Sequence, residues 1–294
     1  MASLTAFVLW YPPHRLSTMN AIAFSVGMVG AMTVTVPLEL LLRVWPWREA
    51  FLLIVAATVA VSLVLWIWVP DRAATSREKS FVQELHELQK LLGDPAFLRL
   101  AICLGTSQFA AVSLQTLWIA TWLRDVAAYT PAEVARALLA VNAAMIAGYI
   151  AFGRGADALQ RRGRNELALL AGGVAVSSVA LAALIVVPRA APLLFWCLFV
   201  SAATAVVLGY ALISRRLPKA MAGRANTGIN VFAFVGMFMG QWGVGLVLDL
   251  WPPTAGGYAP EAYRWALGMT WAVQLAGLVW LWAGRALLEK PSAA

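Results

Sequence analysis

Long runs of apolar residues without a single charge constrain this chain more than any other feature of its sequence. Residues 51–69 form such a run of nineteen, and residues 167–187 form one of twenty-one. Either run is long enough to cross a hydrocarbon core of about 30 Å as a helix. Because central Leu, Ile, Phe and Val each favour insertion by roughly 0.3 to 0.6 kcal/mol, such runs enter a bilayer unaided. The two runs therefore predict membrane helices.

Composition extends this prediction to the whole chain. The 294 residues are 62% hydrophobic and 12% charged, with a mean hydropathy of +0.77, which is more apolar surface than a soluble domain can bury. The net charge of +8 is spread over short basic clusters between apolar spans, which indicates membrane topology and not nucleic-acid binding. Cys103 and Cys197 lie inside apolar spans, where we expect free thiols that pack as small hydrophobes. No metal site and no cofactor are predicted.

The predicted fold is all-α, a polytopic membrane helix bundle with the lipid bilayer as its first partner. Prolines, glycines and charges divide the chain into eight complete spans. The predicted spans are 18–42, 51–69, 95–123, 131–152, 165–187, 192–214, 226–250 and 260–288.

The basic residues divide unequally between alternate connections. Sixteen of the 22 Lys and Arg residues fall on one side and six on the other, and the richer side is expected to face the cytoplasm. Both termini are then cytoplasmic. Ten tryptophans near helix ends are expected to form an interfacial belt. They are Trp45, Trp47, Trp66, Trp68, Trp118, Trp122, Trp251, Trp265, Trp280 and Trp282.

The longest connection, 70–94, has a helical pattern of its own. Phe81, Leu85, Leu88 and Leu92 recur on one helix face, which predicts a cytoplasmic amphipathic helix between two bundles. A solvated spacer without a docking surface is the alternative. Asp94-Pro95 is expected to cap and begin the next membrane helix.

Part of the sequence occurs twice. The repeat pairs a basic entry, a glycine-containing mid-helix and an acid near the far end of each helix. Arg15, Thr18, Val26, Gly27 and Met28 recur 209 residues later as Arg224, Thr227, Val235, Gly236 and Met237; Gly30 and Glu39 then match Gly240 and Asp249. Chance similarity between apolar helices is the competing explanation.

The stretch 153–164 reads GRGADALQRRGR, with Gly153 and Asp157 four residues apart. Together with the repeat and the long connection, this stretch resembles the Major Facilitator Superfamily and its Gly-x-x-x-Asp-Arg loop motif, although Ala158 stands where the family usually has a basic residue. The resemblance implies that the eight spans match family helices five to twelve, with helices one to three and most of helix four missing. It also implies three segments: 1–69 as the remainder of an N-terminal bundle, 70–94 as the linker, and 95–294 as a six-helix bundle.

Polar residues at mid-membrane depth are the candidates for a substrate pathway, because a polar group in lipid needs a partner or a wet cavity. Gln108 and Gln115 lie seven residues apart on one face, and four further polar residues lie inside other spans. The pathway candidates are Gln108, Gln115, Asn142, Thr204, Asn230 and Gln241. Hydrogen bonding between helices is an equally good explanation for each of them. Gln274 is expected to be structural.

The loop motif supplies a second set of candidates. In the family the matching loop acid helps lock one face closed, so the resemblance implies that Asp157, with Arg161 or Arg162, latches onto the start of the first complete helix. An acid beside a helix amino terminus is favourable by roughly 0.3 to 1 kcal/mol. Gly27/Gly30 and Gly236/Gly240 are expected to allow close helix contact, for gating or for static packing. The gating candidates are Gly153, Asp157, Arg161, Arg162, Arg15 and Arg224.

Three functions fit this pattern. The first is a secondary transporter that moves a small solute by alternating access, with or without a coupling ion; the spans carry no charged residue near their centres, so no proton-coupling site is located. The second is a truncated or non-transporting relative. The third, a membrane enzyme, fits least because His14 and His86 form no catalytic cluster, and we predict that the chain is not an enzyme. Abundant Arg beside scarce Lys is typical of a GC-rich genome, and together with the basic loops it favours a bacterial inner membrane.

Overall fold

The computed structural model describes residues 2–33, 41–42, 44–68, 89–217, 219–252, 254 and 257–289. Within those ranges the chain is built almost entirely of helices. In chain order they are α1 Ala2–Trp10, α2 Leu16–Thr33, α3 Trp47–Trp68, α4 Pro95–Asp125, α5 Pro131–Arg161, α6 Leu167–Val186, α7 Pro192–Arg216, α8 Lys219–Leu248, α9 Pro260–Ala283 and α10 Arg285–Glu289. In α4 the segment Leu114–Trp118 is π-helical, and in α7 the segment Thr204–Val207 is 3₁₀-helical.

The membrane prediction agrees with this architecture. Seven of the described helices, α3 to α9, are long and apolar enough to cross a bilayer. The remaining predicted span, 18–42, is helical over Leu16–Thr33 and again at 41–42, and its residues 34–40 lie outside the described residues. The linker prediction at 70–94 lies mostly outside them as well.

Local sequence explains how the helices begin. The Asp94 carboxylate accepts a hydrogen bond from the backbone N–H of Ala96 at 2.8 Å, and Pro95 occupies the first helical position. This cap was predicted. At the start of α5, Thr130 and Glu133 form a capping box in which each side chain bonds the backbone N–H of the other.

Three predicted boundaries are wrong. Helix α5 continues to Arg161 instead of ending at 152, so most of the predicted loop motif is helix; the helix ends only before Gly163, whose positive φ of 66° suits a C-terminal glycine. Helix α8 begins at Lys219 instead of 226, because polar residues outside the lipid do not interrupt a helix. The last span stops at Ala283, and α10 follows.

Residues Met1–Ser25 and Ser80–Ala294 form one compact unit, and Val26–Lys79 form a second. In the first unit α4 packs along α8 and against α9, while α7 packs against α5 and α6. Glycines allow this: a Cβ at Gly236 or Gly240 would clash with the carbonyl of Gly105 or Phe109 on α4. In the second unit nearly the whole surface of α3 is exposed, as expected of a helix that faces lipid. The three-segment division stays a prediction.

Two residues are placed differently from the sequence prediction. Trp122, assigned to the interfacial belt, is 1% exposed and packs edge-on against Trp196, with ring centroids 5.4 Å apart. Leu92, assigned to the apolar face of the linker helix, is exposed, whereas Leu91 belongs to the same core cluster as Phe97. Both cysteines are free thiols, Cys103 buried and Cys197 half-buried.

Candidate functional site

A polar cluster surrounds the π-helical turn of α4. Gln115 Nε2 donates to Asn142 Oδ1 on α5 at 3.0 Å, and Gln241 Nε2 on α8 donates to Thr116 Oγ1 at 2.8 Å. The widened turn lets two consecutive side chains reach neighbouring helices on different sides, and such turns are frequent at functional sites. We call Gln115, Thr116, Asn142 and Gln241 the π-turn cluster.

The structure thus brings together three of the six predicted pathway residues and places the other three elsewhere. Gln108 is half-buried on α4, seven residues before Gln115. Thr204 is buried and donates to the carbonyl of Ser201 at 2.6 Å within α7, directly against Gly148 of α5. Asn230 Oδ1 accepts from the hydroxyl of Tyr210 at 3.2 Å.

Aromatic rings link α2 to α5 and α7. The ring of Phe24 stacks on that of Tyr149 at 5.7 Å between centroids and lies 5.6 Å from that of Tyr210. Since Tyr210 also bonds Asn230, this aromatic layer connects α2 with one of the predicted pathway residues.

The predicted motif residues lie at the end of α5 beside the start of α2. A Cβ at Gly153 would lie 2.6 Å from the Cβ of Ala21, so only glycine allows the two helices this approach. One turn further, Asp157 is buried and its Oδ1 accepts from the backbone N–H of Thr18 at 3.4 Å. This N–H is one of the free donors at the start of α2, where the helix dipole favours an anion.

A different arginine from the predicted pair reaches the same place. Arg161 and Arg162 are exposed where α5 ends, Arg15 is exposed and Arg224 is half-buried. Arg215, at the end of α7, pairs with Glu166 and donates to the hydroxyl of Ser17 at 3.0 Å.

The Arg215 site is assembled from several parts of the chain. The guanidinium of Arg215 also donates to the carbonyl of Pro13 at 3.0 Å, and Gln160 donates to the other carboxylate oxygen of Glu166. Glu166 is fully buried, so its charge depends on these partners. We call Asp157, Glu166 and Arg215, with Ser17 and Thr18, the entry network.

A second polar group lies at the opposite end of the same unit. The Asp125 carboxylate accepts from the backbone N–H of Tyr258 at 3.1 Å and from the hydroxyl of Tyr263 at 3.0 Å, and pairs with Arg124 at 2.7 Å. Gly257 has φ 149°, and a Cβ there would lie 2.5 Å from Asp125 Oδ2. The glycine lets the connection before α9 close over the carboxylate.

Sequence reasoning missed Arg215, Glu166 and Asp125. Each is a charged residue at the boundary of an apolar span; the topology rule uses Arg215 only as one of the basic residues, and it takes no account of acids or of ion pairing. Within the described ranges, no three or more His, Cys, Asp or Glu side chains are grouped closely enough to hold a metal ion. The prediction of no cofactor remains a prediction.

Comparison with known proteins is consistent with this fold. The chain superposes on the crystal structure of a bacterial homologue of the iron transporter ferroportin in an outward-facing state, with a TM-score of 0.70 and 14% sequence identity over 95% of this chain and 66% of that one. It thus spans slightly less than two thirds of the length of that transporter. No curated protein matches the chain. A family model of the Major Facilitator Superfamily matches residues 1–241, and the chain therefore belongs to the Major Facilitator Superfamily.

Proposed function

We propose that this chain acts in a secondary transporter that moves a small solute by alternating access. The observation that carries the proposal is the π-turn cluster. Polar side chains there come from three helices, and interhelical hydrogen bonds of this kind contribute only about 0.6 kcal/mol each on average. Such weak bonds can be exchanged for bonds to a polar solute at little cost.

In this proposal Gln115, Asn142 and Gln241 bind the solute, and Gln108, Thr204 and Asn230 line the path to either side. The entry network closes one end of that path, because Asp157 and Arg215 join the ends of α5 and α7 to the start of α2. Separation of these contacts opens the end, and the aromatic layer of Phe24, Tyr149 and Tyr210 separates with them.

The proposal places the protein in a bacterial inner membrane with both termini in the cytoplasm. The test uses a variant without Cys103 and Cys197 that carries one cysteine at Arg162 or at Ala190, two exposed positions at opposite ends of α6. In intact cells an impermeant maleimide should label Cys at position 190 and spare Cys at position 162. The reverse pattern would contradict the orientation.

Transport itself is tested by reconstituting the full chain in proteoliposomes. Uptake of a panel of radiolabelled sugars, amino acids and organic acids is measured with and without an imposed ion gradient. Gln115→Leu should abolish uptake of whichever solute is transported, whereas Thr58→Val on the exposed surface of α3 should leave it unchanged. Equal uptake by Gln115→Leu and the unmodified chain would reject the π-turn cluster as the binding site. Uptake of no solute from the panel would favour the non-transporting alternative.

A further inference from the structure

An apolar groove runs between α6 and α9 on the surface of the first unit. Its volume is about 530 Å³, and α6 contributes the small residues Ala168, Ala171, Gly172 and Ala175 to its wall. The opposite wall comes from the last two turns of α9 and ends at Trp282. Residues 168 to 175 cover about 10 Å of helix along the groove.

One end of the groove, near Trp282 and the start of α6, is positively charged. The guanidinium carbon of Arg285 lies 4.9 Å from the centroid of the Trp282 ring, so the charge sits at the edge of the groove. Arg164 is exposed in the turn four residues before Ala168. The side chain of Asn165 donates to the carbonyl of Leu288 at 3.1 Å, which ties the beginning of α6 to α10. Both arginines therefore belong to the same end of the groove.

The nearest acid of α6 does not cancel this charge. Glu166 is fully buried and paired with Arg215. The helix dipole adds a partial positive charge at the same end, although the N–H of Leu167 is already bonded to the side chain of Asn165 at 2.9 Å.

We propose that this groove is a binding site for an anionic phospholipid, with one acyl chain between α6 and α9 and the headgroup phosphate held by Arg285 and Arg164. The apolar walls require an apolar occupant, because an unfilled groove loses dispersion contacts along its length. Lipid tails supply that occupant in a bilayer, and a basic pocket between membrane helices selects an anionic headgroup. The indole of Trp282 lies at the boundary between the two parts, as tryptophan does at membrane interfaces.

Gly172 is a position at which a larger side chain can be introduced to fill the groove. Among the described residues, no atom lies within 4 Å of a Cβ placed at Gly172, so Gly172→Leu projects its side chain into the groove without a clash at the backbone. A Cβ at Gly268, on α9 and outside the groove lining, meets open space too. Gly268→Leu is therefore the matched control.

The test is native mass spectrometry of the delipidated full chain, titrated with phosphatidylglycerol or with phosphatidylcholine of the same acyl chains. Phosphatidylglycerol should bind more tightly, and Arg285→Gln or Arg164→Gln should each weaken it about fivefold, the effect of roughly one charge. Gly172→Leu should remove the bound lipid. Gly268→Leu, and Arg136→Gln at an exposed site at the other end of the unit, should not.

Two results would overturn the proposal. Equal binding of both lipids, unchanged by either arginine substitution, would show that the groove takes bilayer lipid without selection. A dimer that Gly172→Leu dissociates, with the number of bound lipids unchanged, would show that the groove is covered by a second copy of the chain.

Discussion

The two copies of the internal repeat have similar sequences but different surroundings. In the second copy, Gly236 and Gly240 press against the carbonyls of Gly105 and Phe109, so that α8 and α4 lie in backbone contact. In the first copy, a Cβ at Gly27 would meet no atom of the described residues within 4 Å. A glycine in a membrane helix thus permits close packing, but the sequence alone does not say whether a partner occupies that face.

The starts of the two copies differ in a related way. Ser17 and Asn226 are equivalent positions, 209 residues apart, and each accepts a hydrogen bond from the end of α7. Arg215 donates to Ser17, and its neighbour Ser214 donates to Asn226 at 3.1 Å. The first copy is therefore held by a charged side chain and the second by a neutral one.

The largest loss of stability is expected from breaking the ion pair between Arg215 and Glu166. Arg215→Ala leaves Glu166 buried without its cation, and breaking a buried pair from one side costs about 3 to 5 kcal/mol in the free energy of unfolding. Titration with SDS in mixed micelles measures this loss. Arg161→Ala, at an exposed position near the same end, is the control and should change the free energy by less than about 0.5 kcal/mol.

A double variant separates charge from packing. Glu166→Gln combined with Arg215→Met removes both charges and should recover most of the loss, because replacing both partners of a buried pair is often nearly neutral. A double variant as unstable as Arg215→Ala would show that the contacts of Arg215 with Pro13 and Ser17 hold the site, and not its pairing with Glu166.

Alanine substitutions at Gly240 and Gly27 should change the free energy of unfolding in opposite directions. Gly240→Ala inserts a methyl group against the backbone of α4 and should destabilise the protein by about 1 to 3 kcal/mol. Gly27→Ala adds a better helix former in open space and should stabilise it by about 0.5 to 1 kcal/mol. The same SDS titration measures both. Destabilisation by Gly27→Ala similar to that of Gly240→Ala would mean that the two copies are packed alike.

The smallest effect on stability is expected at Asp157. Asp157→Asn keeps the shape of the contact with Thr18 but removes the charge at the start of α2, at a cost of about 0.3 to 1 kcal/mol. Because such a contact biases one conformation over another, the variant should change the maleimide labelling rate of a cysteine at Ser25 by about two- to fivefold. An unchanged labelling rate, in a variant that is destabilised by no more than this amount, would remove Asp157 from the proposed closure.

The helical architecture could be predicted because apolar runs, proline starts and the Asp94 cap are local signals. The pairing of α8 with α4 through Gly236 and Gly240 was predicted only as a close contact, since nothing in the sequence names Gly105 as the partner. The boundary of α5 was predicted too early, because charged residues mark where a span leaves the lipid and not where its helix ends. A helix that leaves the lipid meets water, where charged residues are as acceptable in a helix as in a loop.

The candidate site could be predicted only in part. Gln115 and Gln241 stand out because an amide in an apolar span is costly. Their hydrogen-bond partners depend on the π-helical turn of α4, which no residue pattern in the sequence predicts. Asp125 and Glu166 looked like ordinary boundary charges. Their significance comes from burial by distant segments, the connection at Gly257 in one case and α7 in the other.

The length of α5 has a mechanical consequence. Its 31 residues extend about 46 Å, well beyond a hydrocarbon core of about 30 Å, so the helix is a stiff rod with a protruding tip. Asp157 lies eleven residues, or about 16 Å, from the midpoint of that rod. A tilt of about ten degrees moves the carboxylate by about 3 Å, as much as a hydrogen bond is long. The hydrogen bond between Asp157 and Thr18 can therefore form only within a narrow range of orientations of α5, and it restricts the tilt of that helix while it is formed.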